Sequence, residues 1–177
     1  TSHDTPQFAA ENIARWWRQR GRKDYPQADH LFILADSGGS NGARVRMWKW
    51  ALQKQLADPF GLTITVSHFP TGTSKWNPIE HRLFSEISEH WAGRPLDSYQ
   101  IIVDLIGSTT TQTGLQVRSQ LIRKYCPTQR KVSNSQFKTI RLDPHAVLPS
   151  WKHTIFPIEN RIWFLHGALA PEAAQAG

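Results

Sequence analysis

An α/β fold with two parallel core strands and flanking helices is what the sequence predicts, on three patterns within residues 31–68. Leu31-Phe32-Ile33-Leu34-Ala35 is a continuous apolar run that stops at Asp36, as a central strand covered on both faces would. Leu62, Ile64 and Val66 alternate with Thr63, Thr65 and Ser67, the period of a strand with one buried face. Between them Val45, Trp48, Leu52 and Leu56 share a helical face, and a crossover of that length makes the strands parallel and the connection right-handed. The 177 residues suffice for one domain with its own core. A composition of 39% hydrophobic and 11% aromatic residues excludes a disordered chain.

The other elements follow in order. Thr5 before Pro6 is a cap followed by an N1 proline, and Ala9, Ile13, Trp16 and Trp17 give a helix over about 6–20, stopped by Gly21. After Asp36, Ser37-Gly38-Gly39-Ser40-Asn41-Gly42 is a loop, and the next helix spans about Ala43 to Leu56, closed by Asp58-Pro59 and Gly61. A second loop, Phe69 to Trp76, leads to Asn77-Pro78-Ile79-Glu80, where Asn77 caps a helix running to about Trp91 with Leu83, Phe84, Ile87 and Trp91 inward. Ser98 caps another helix, Ser133 starts a short one, and Ser150 to Phe156 reads as a short strand.

Charge is uneven along the chain. Residues 105–158 carry eight Lys or Arg against one acidic residue, whereas residues 1–104 carry twelve against eleven. A net +7 gathered in one stretch points to a polyanion such as nucleic acid, the plainer alternative being a solvated basic surface. The single Cys126 excludes an internal disulfide framework and a Cys-based zinc site. No run reaches the ~18 apolar residues of a membrane span, Ile162 to Ala170 included, and no signal peptide opens the chain, so a soluble, intracellular protein is expected.

Two carboxylates stand out by position. Asp36 ends a strand at its carboxyl edge, where ligands bind in open α/β sheets, and Glu80 lies in the first turn of the helix after the next strand. Such a pair suits a hard divalent cation in a phosphoryl-transfer site. Each also has a structural reading: Asp36 as a cap, Glu80 as the reach-back partner of Asn77. The loop glycines do not make G-x-G-x-x-G, the histidines lack H-x-x-x-H spacing, and neither Ser37 nor Ser74 sits in a G-x-S-x-G elbow. Most tryptophans fit core faces, but Trp76, beside Lys75, is placed to touch a base or sugar.

The string Ile33-Leu34-Ala35-Asp36-Ser37-Gly38-Gly39-Ser40-Asn41-Gly42, then His68-Phe69-Pro70-Thr71-Gly72-Thr73-Ser74-Lys75-Trp76-Asn77-Pro78-Ile79-Glu80-His81-Arg82, resembles the catalytic core of the ISAzo-thirteen insertion-sequence transposases. These are relatives of the DDE enzymes with a ribonuclease-H-like fold. Leu105 to Leu115 and Trp151 to Ile155 extend the resemblance. It implies Mg2+- or Mn2+-dependent cleavage at transposon ends and joining of the freed 3′-OH to target DNA. Asp36 would be the second Asp of the triad and Glu80 its closing Glu, both metal ligands. DNA would be the partner, held by Lys75, Trp76, Arg118, Arg123, Lys124, Arg130, Lys131, Lys138 and Arg141, and chemistry on two ends implies a homo-oligomer. The expected location is the cytoplasm, at the nucleoid.

The family's first catalytic Asp lies on a strand before the point where this chain begins. The expectation is therefore a partial ribonuclease-H-like fold: two parallel core strands with helices, opening strands absent, and an open edge beside Leu31 to Ala35. Residues 1–110 would be the partial catalytic core, 111–158 a basic C-terminal extension and 159–177 an atypical tail. Such a chain would not cleave DNA by itself. The competing class is a non-catalytic remnant that binds DNA through residues 118–141.

Overall fold

A computed structural model describes residues 5–158 apart from Tyr125, Cys126 and Gln129. Cys126, the apolar run from Ile162 and the rest of the 159–177 tail lie outside the described residues.

Thr5 caps α1 (Pro6–Trp16) by accepting the Phe8 amide at 3.2 Å. The helix does not stop at Gly21: it continues through a π turn, Trp17–Gly21, and a last turn, Arg22–Asp24. A Cβ on Gly21 would overlap the Trp17 ring, so glycine here makes room for that tryptophan rather than ending the helix. Ala10, Ala14, Trp17 and Gly21 form the buried face, and Trp16, expected inward beside Trp17, is exposed.

The strand–helix–strand unit is present. Parallel strands β1 (His30–Asp36) and β2 (Thr63–Phe69) pair from His30↔Thr63 to Asp36↔Phe69. Between them α2 starts at Arg46–Leu52 and continues through a π turn, Gln53–Ala57, and Asp58–Phe60. Gly61, at φ 65°, takes the left-handed step that ends it.

Among the described residues the sheet has four strands rather than two. Antiparallel β4 (Lys152–Ile155) pairs with β2, and β3 (Leu142–Pro144) pairs with β4, giving the order β1-β2-β4-β3. The short strand near Ser150 is thus real, but its docking on β2 gives it its place. Pro144, which cannot donate to a ladder, ends the β3 edge.

β1 is the other edge, and it is covered on one face only. Leu31, Ile33, Ala35, Ile64, Val66 and Ile155 pack against α1 and α2 around Trp48, Leu52 and Leu56. Phe32 and Leu34 point the other way and are 55% and 49% exposed, so the strand expected to be covered on both faces is covered on one among the described residues. A row of hydrogen bonds, His30 Nε2 to Thr65 Oγ1 at 2.8 Å and Thr65 Oγ1 to Thr154 Oγ1 at 3.0 Å, crosses that outer face.

Beyond β2, the 3-10 turn Ser74–Trp76 precedes α3, a π turn Glu80–Phe84 running into Ser85–Trp91. It packs on α4 (Tyr99–Gly107), which Ser98 caps. Of the four side chains expected inward on α3, Ile87 is buried, Leu83 and Trp91 are half-buried and Phe84 is exposed. Ser133 and Gln136 form a capping box at the start of α5 (Asn134–Lys138). No helix among the described residues is long and apolar enough to cross a membrane.

Candidate active site

The parallel pair ends at Asp36 opposite Phe69, so the loops that follow both strands leave from one edge of the sheet. The first loop is tightly wound. Gly39 has φ 72°, and a Cβ on Gly42 would stand 2.6 Å from the Ser37 carbonyl oxygen, so the chain closes back on itself only because residue 42 is glycine. Ser37 Oγ lies 3.2 Å from Thr71 Oγ1, fastening this loop to the one after β2. A cavity of about 280 Å³ between them is lined by Ser37, Gly42, Arg44, Thr71 and Trp151.

The second loop holds Lys75, Trp76 and Glu80. Thr73 Oγ1 donates to the Pro70 carbonyl at 2.7 Å, and the Trp76 amide donates to the Thr73 carbonyl at 2.9 Å. His81 Nε2 lies 2.9 Å from the Lys75 carbonyl and ties the turn to α3. Lys75 is exposed and Trp76 is 63% exposed, so Trp76 is not a core tryptophan.

Neither carboxylate is occupied by the structural work the sequence allowed. Asn77 Oδ1 accepts the Ile79 amide at 3.3 Å, and the Glu80 amide donates to the Asn77 carbonyl at 3.1 Å, but the Glu80 carboxylate makes no reach-back bond. The ion pairs among the described residues are Arg20–Asp24, Lys54–Asp58 and Lys124–Glu11. Asp36, exposed, and Glu80, half-buried, take part in none of them. They offer hard oxygen donors with sides open to water, the donor chemistry that Mg2+ or Mn2+ takes. No group of three or more His, Cys, Asp or Glu among the described residues is placed to hold a metal.

The Thr-rich segment that carries part of the family resemblance has a place beside α3 that the sequence alone did not assign. Thr110 bridges Gln116, Thr111 Oγ1 accepts the Leu115 amide at 3.1 Å, and Gly114 at φ 87° turns the chain. With His81, Arg82 and Glu86, residues 110–113 line a cavity of about 760 Å³ next to the start of α3. The threonine run ending in glycine was the available signal, but only the fold brings it to α3.

All seven basic residues singled out between 118 and 141 are exposed. Three of them hold the chain to itself. Lys124 pairs with Glu11 at 2.6 Å, Arg130 donates to Gln7 Oε1 at 3.1 Å and lies over Trp50, and Arg141 donates to the Pro157 carbonyl at 2.7 Å over Phe156. Arg118, Arg123, Lys131 and Lys138 have no such partner among the described residues.

Beneath the first loop, His153 stacks on His68 with ring centroids 5.9 Å apart. Burial, and then the Lys49 and His68 charges, pull the His153 pKa from 6.5 to about 3, and its Nε2 is buried without a partner. Burial also pulls the neighbouring Lys49 down. Between those two His153 values the unfolded chain binds more protons than the folded one. Stability is therefore full above the unfolded value and is lost as pH falls below it. The expected loss is up to about 1.4 kcal/mol per pH unit below about 6.5. Urea midpoints at about pH 7 and about pH 5 check it, with His153→Leu expected to flatten the difference.

Over residues 1–157 the sequence matches the family described as the Rhodopirellula transposase DDE domain. No curated protein and no solved structure matches it. The matched span takes in every strand of the sheet and both loops at its carboxyl edge. The chain therefore belongs to this family of DDE transposase domains, the ISAzo-thirteen group that its motifs resemble, whose work is the cleavage and transfer of DNA in transposition.

Proposed function

We propose that Asp36 and Glu80 are two of the acidic ligands of the site at which this transposase domain cuts transposon ends and joins the freed 3′-OH to target DNA. The observation that carries the reading is that Asp36 ends β1 and Glu80 follows the adjacent parallel strand β2, with no ion pair or cap to serve among the described residues. The reading requires the two carboxyl groups within roughly 8 Å of each other, the reach of ligands about a metal pair. A divalent cation, Mg2+ or Mn2+, supplies there the positive charge that steadies the attacking and leaving oxygens. What the chain supplies is position: the glycine loop aims Asp36, and the turn before α3 presents Glu80 together with Lys75 and Trp76. An exposed Trp76 gives a stacking surface for an unpaired base.

In this reading residues 1–110 carry the catalytic groups, while residues 111–158 carry basic contacts and also supply β3 and β4. Arg118, Arg123, Lys131 and Lys138, without a partner among the described residues, are the ones to reach phosphates, whereas Lys124, Arg130 and Arg141 are engaged within the chain. DNA affinity is expected to fall with salt at a log-log slope of about −0.9 per neutralised phosphate. Replacing the four free cations with Gln should flatten the slope, and replacing the three engaged ones should flatten it less. Equal effects from both sets, read by fluorescence anisotropy across a salt series, would count against this assignment.

The experiment that tests the function is Mg2+-dependent nicking of transposon-end DNA by the transposase carrying this chain, with and without Asp36→Ala. Loss of nicking with DNA binding retained supports it. Nicking that survives Asp36→Ala refutes it. A copy at each of two ends makes the working form an oligomer.

A further inference from the structure

We propose that His68 is a positioning residue for Asp36: a buried imidazole that fixes the loop leaving β1 by holding the Asn41 carbonyl. The catalytic meaning of this clamp rests on the reading of Asp36 as a metal ligand, but its geometry does not. His68 stands opposite Ala35, the residue before Asp36, in the parallel register and is 5% exposed. Its Nε2 lies 3.0 Å from the Asn41 carbonyl oxygen and its Nδ1 3.1 Å from the Trp151 carbonyl oxygen. A carbonyl oxygen only accepts and a neutral imidazole carries one N–H, so the clamp assigns that proton to Nε2, facing Asn41. The His68 backbone amide also donates to the Trp151 carbonyl at 2.8 Å. One residue, through its ring and its backbone amide, thereby joins β2, the loop after β1 and the turn before β4.

The path from this ring to Asp36 is short. Asn41 precedes Gly42, whose backbone lies so close to the Ser37 carbonyl that a Cβ would stand 2.6 Å from that oxygen. Ser37 follows Asp36. Holding Asn41 therefore holds the closure of the loop, and with it the peptide that carries the carboxylate. Ser37 Oγ against Thr71 Oγ1 is the only other side-chain tie on this loop among the described residues, and it is exposed. The buried tie is the more durable one, since solvent does not compete for it. Misplacing a reacting group by about 1 Å can cost about 10²-fold in rate, so a loop tie of this kind matters to chemistry.

Two variants separate the two ring contacts. A Gln side chain places its NH2 near the ring Nε2, and an Asn side chain places its own near Nδ1. His68→Gln thus keeps a donor for Asn41, whereas His68→Asn keeps one only for Trp151. Hydrogen exchange is read by mass spectrometry on peptides covering residues 37–45 and, as a control, residues 63–67. The Asn variant should exchange about tenfold faster in the loop, the loss of about one hydrogen bond, with the control peptide unchanged. The Gln variant should stay near wild type. Cleavage of transposon-end DNA should follow the same order, with kcat falling about 10²-fold in the Asn variant at unchanged KM. Equal loop exchange in the Asn and Gln variants overturns the clamp. A loop loosened only in the Asn variant, with cleavage unchanged, upholds the clamp and instead overturns the catalytic reading of Asp36.

Discussion

Asp36→Asn and Glu80→Gln are each expected to lower Mg2+-dependent cleavage by about 10³-fold, because a ligand on a catalytic cation is worth several kcal/mol at 1.36 kcal/mol per tenfold. Both substitutions preserve shape and remove one charge. Neither carboxylate belongs to an ion pair among the described residues, so folding should hardly notice. The stability change should lie within about 0.5 kcal/mol, as for surface positions without a structural task. Cleavage kinetics and a urea titration on the same preparations check both halves. A variant that loses activity only because it unfolds would place these residues in the scaffold instead.

Gln53→Leu should have the largest effect on stability, about 2–4 kcal/mol, because it removes three hydrogen bonds at once. Gln53 is completely buried in the π turn of α2. Its Nε2 donates to Asp58 Oδ1 at 2.5 Å and to the Phe156 carbonyl at 2.9 Å, while its Oε1 accepts the Arg141 amide at 3.0 Å. Arg141 precedes β3 and Phe156 follows β4, so this amide pins both late strands to the helix. A leucine fills the space but offers no donor or acceptor. The urea midpoint should fall with little change in slope. A shift equivalent to less than about 0.5 kcal/mol would mean that water satisfies these groups without Gln53.

The strand–helix–strand unit was legible because its signals are local: an apolar run, a helical face and an alternation, each punctuated by glycine or proline. The caps at Thr5, Ser98 and Ser133 were legible for the same reason. The placement of β3 and β4 was not. Strands of three and four residues have no period of their own, and Ile155 finds its place only by pairing with Ile64. The π turns at Trp17, Gln53 and Glu80 leave no mark in composition.

Asp36 and Glu80 could be picked out from their positions at a strand end and at a helix start, and the resemblance to the family's motifs suggested the roles proposed for them. His68 and Gln53 escaped because a buried polar side chain declares itself only through partners far along the chain, at Trp151, Arg141 and Phe156. The basic stretch showed its charge in the sequence. Which cations are already engaged depends on where the chain lies against α1.

A change of metal preference tests most directly whether Asp36 holds the cation. In the assembled transposase, Asp36→Cys replaces a hard oxygen donor with sulfur, which Mg2+ binds poorly and Mn2+ tolerates better. Cleavage rates of wild type and variant are compared with each metal in turn. The account predicts that the cysteine enzyme is nearly inactive with Mg2+ and recovers by about tenfold or more with Mn2+, beyond any change in the wild type. Wild-type Mg2+ activity in the cysteine enzyme, or the same residual rate with both metals, would contradict it.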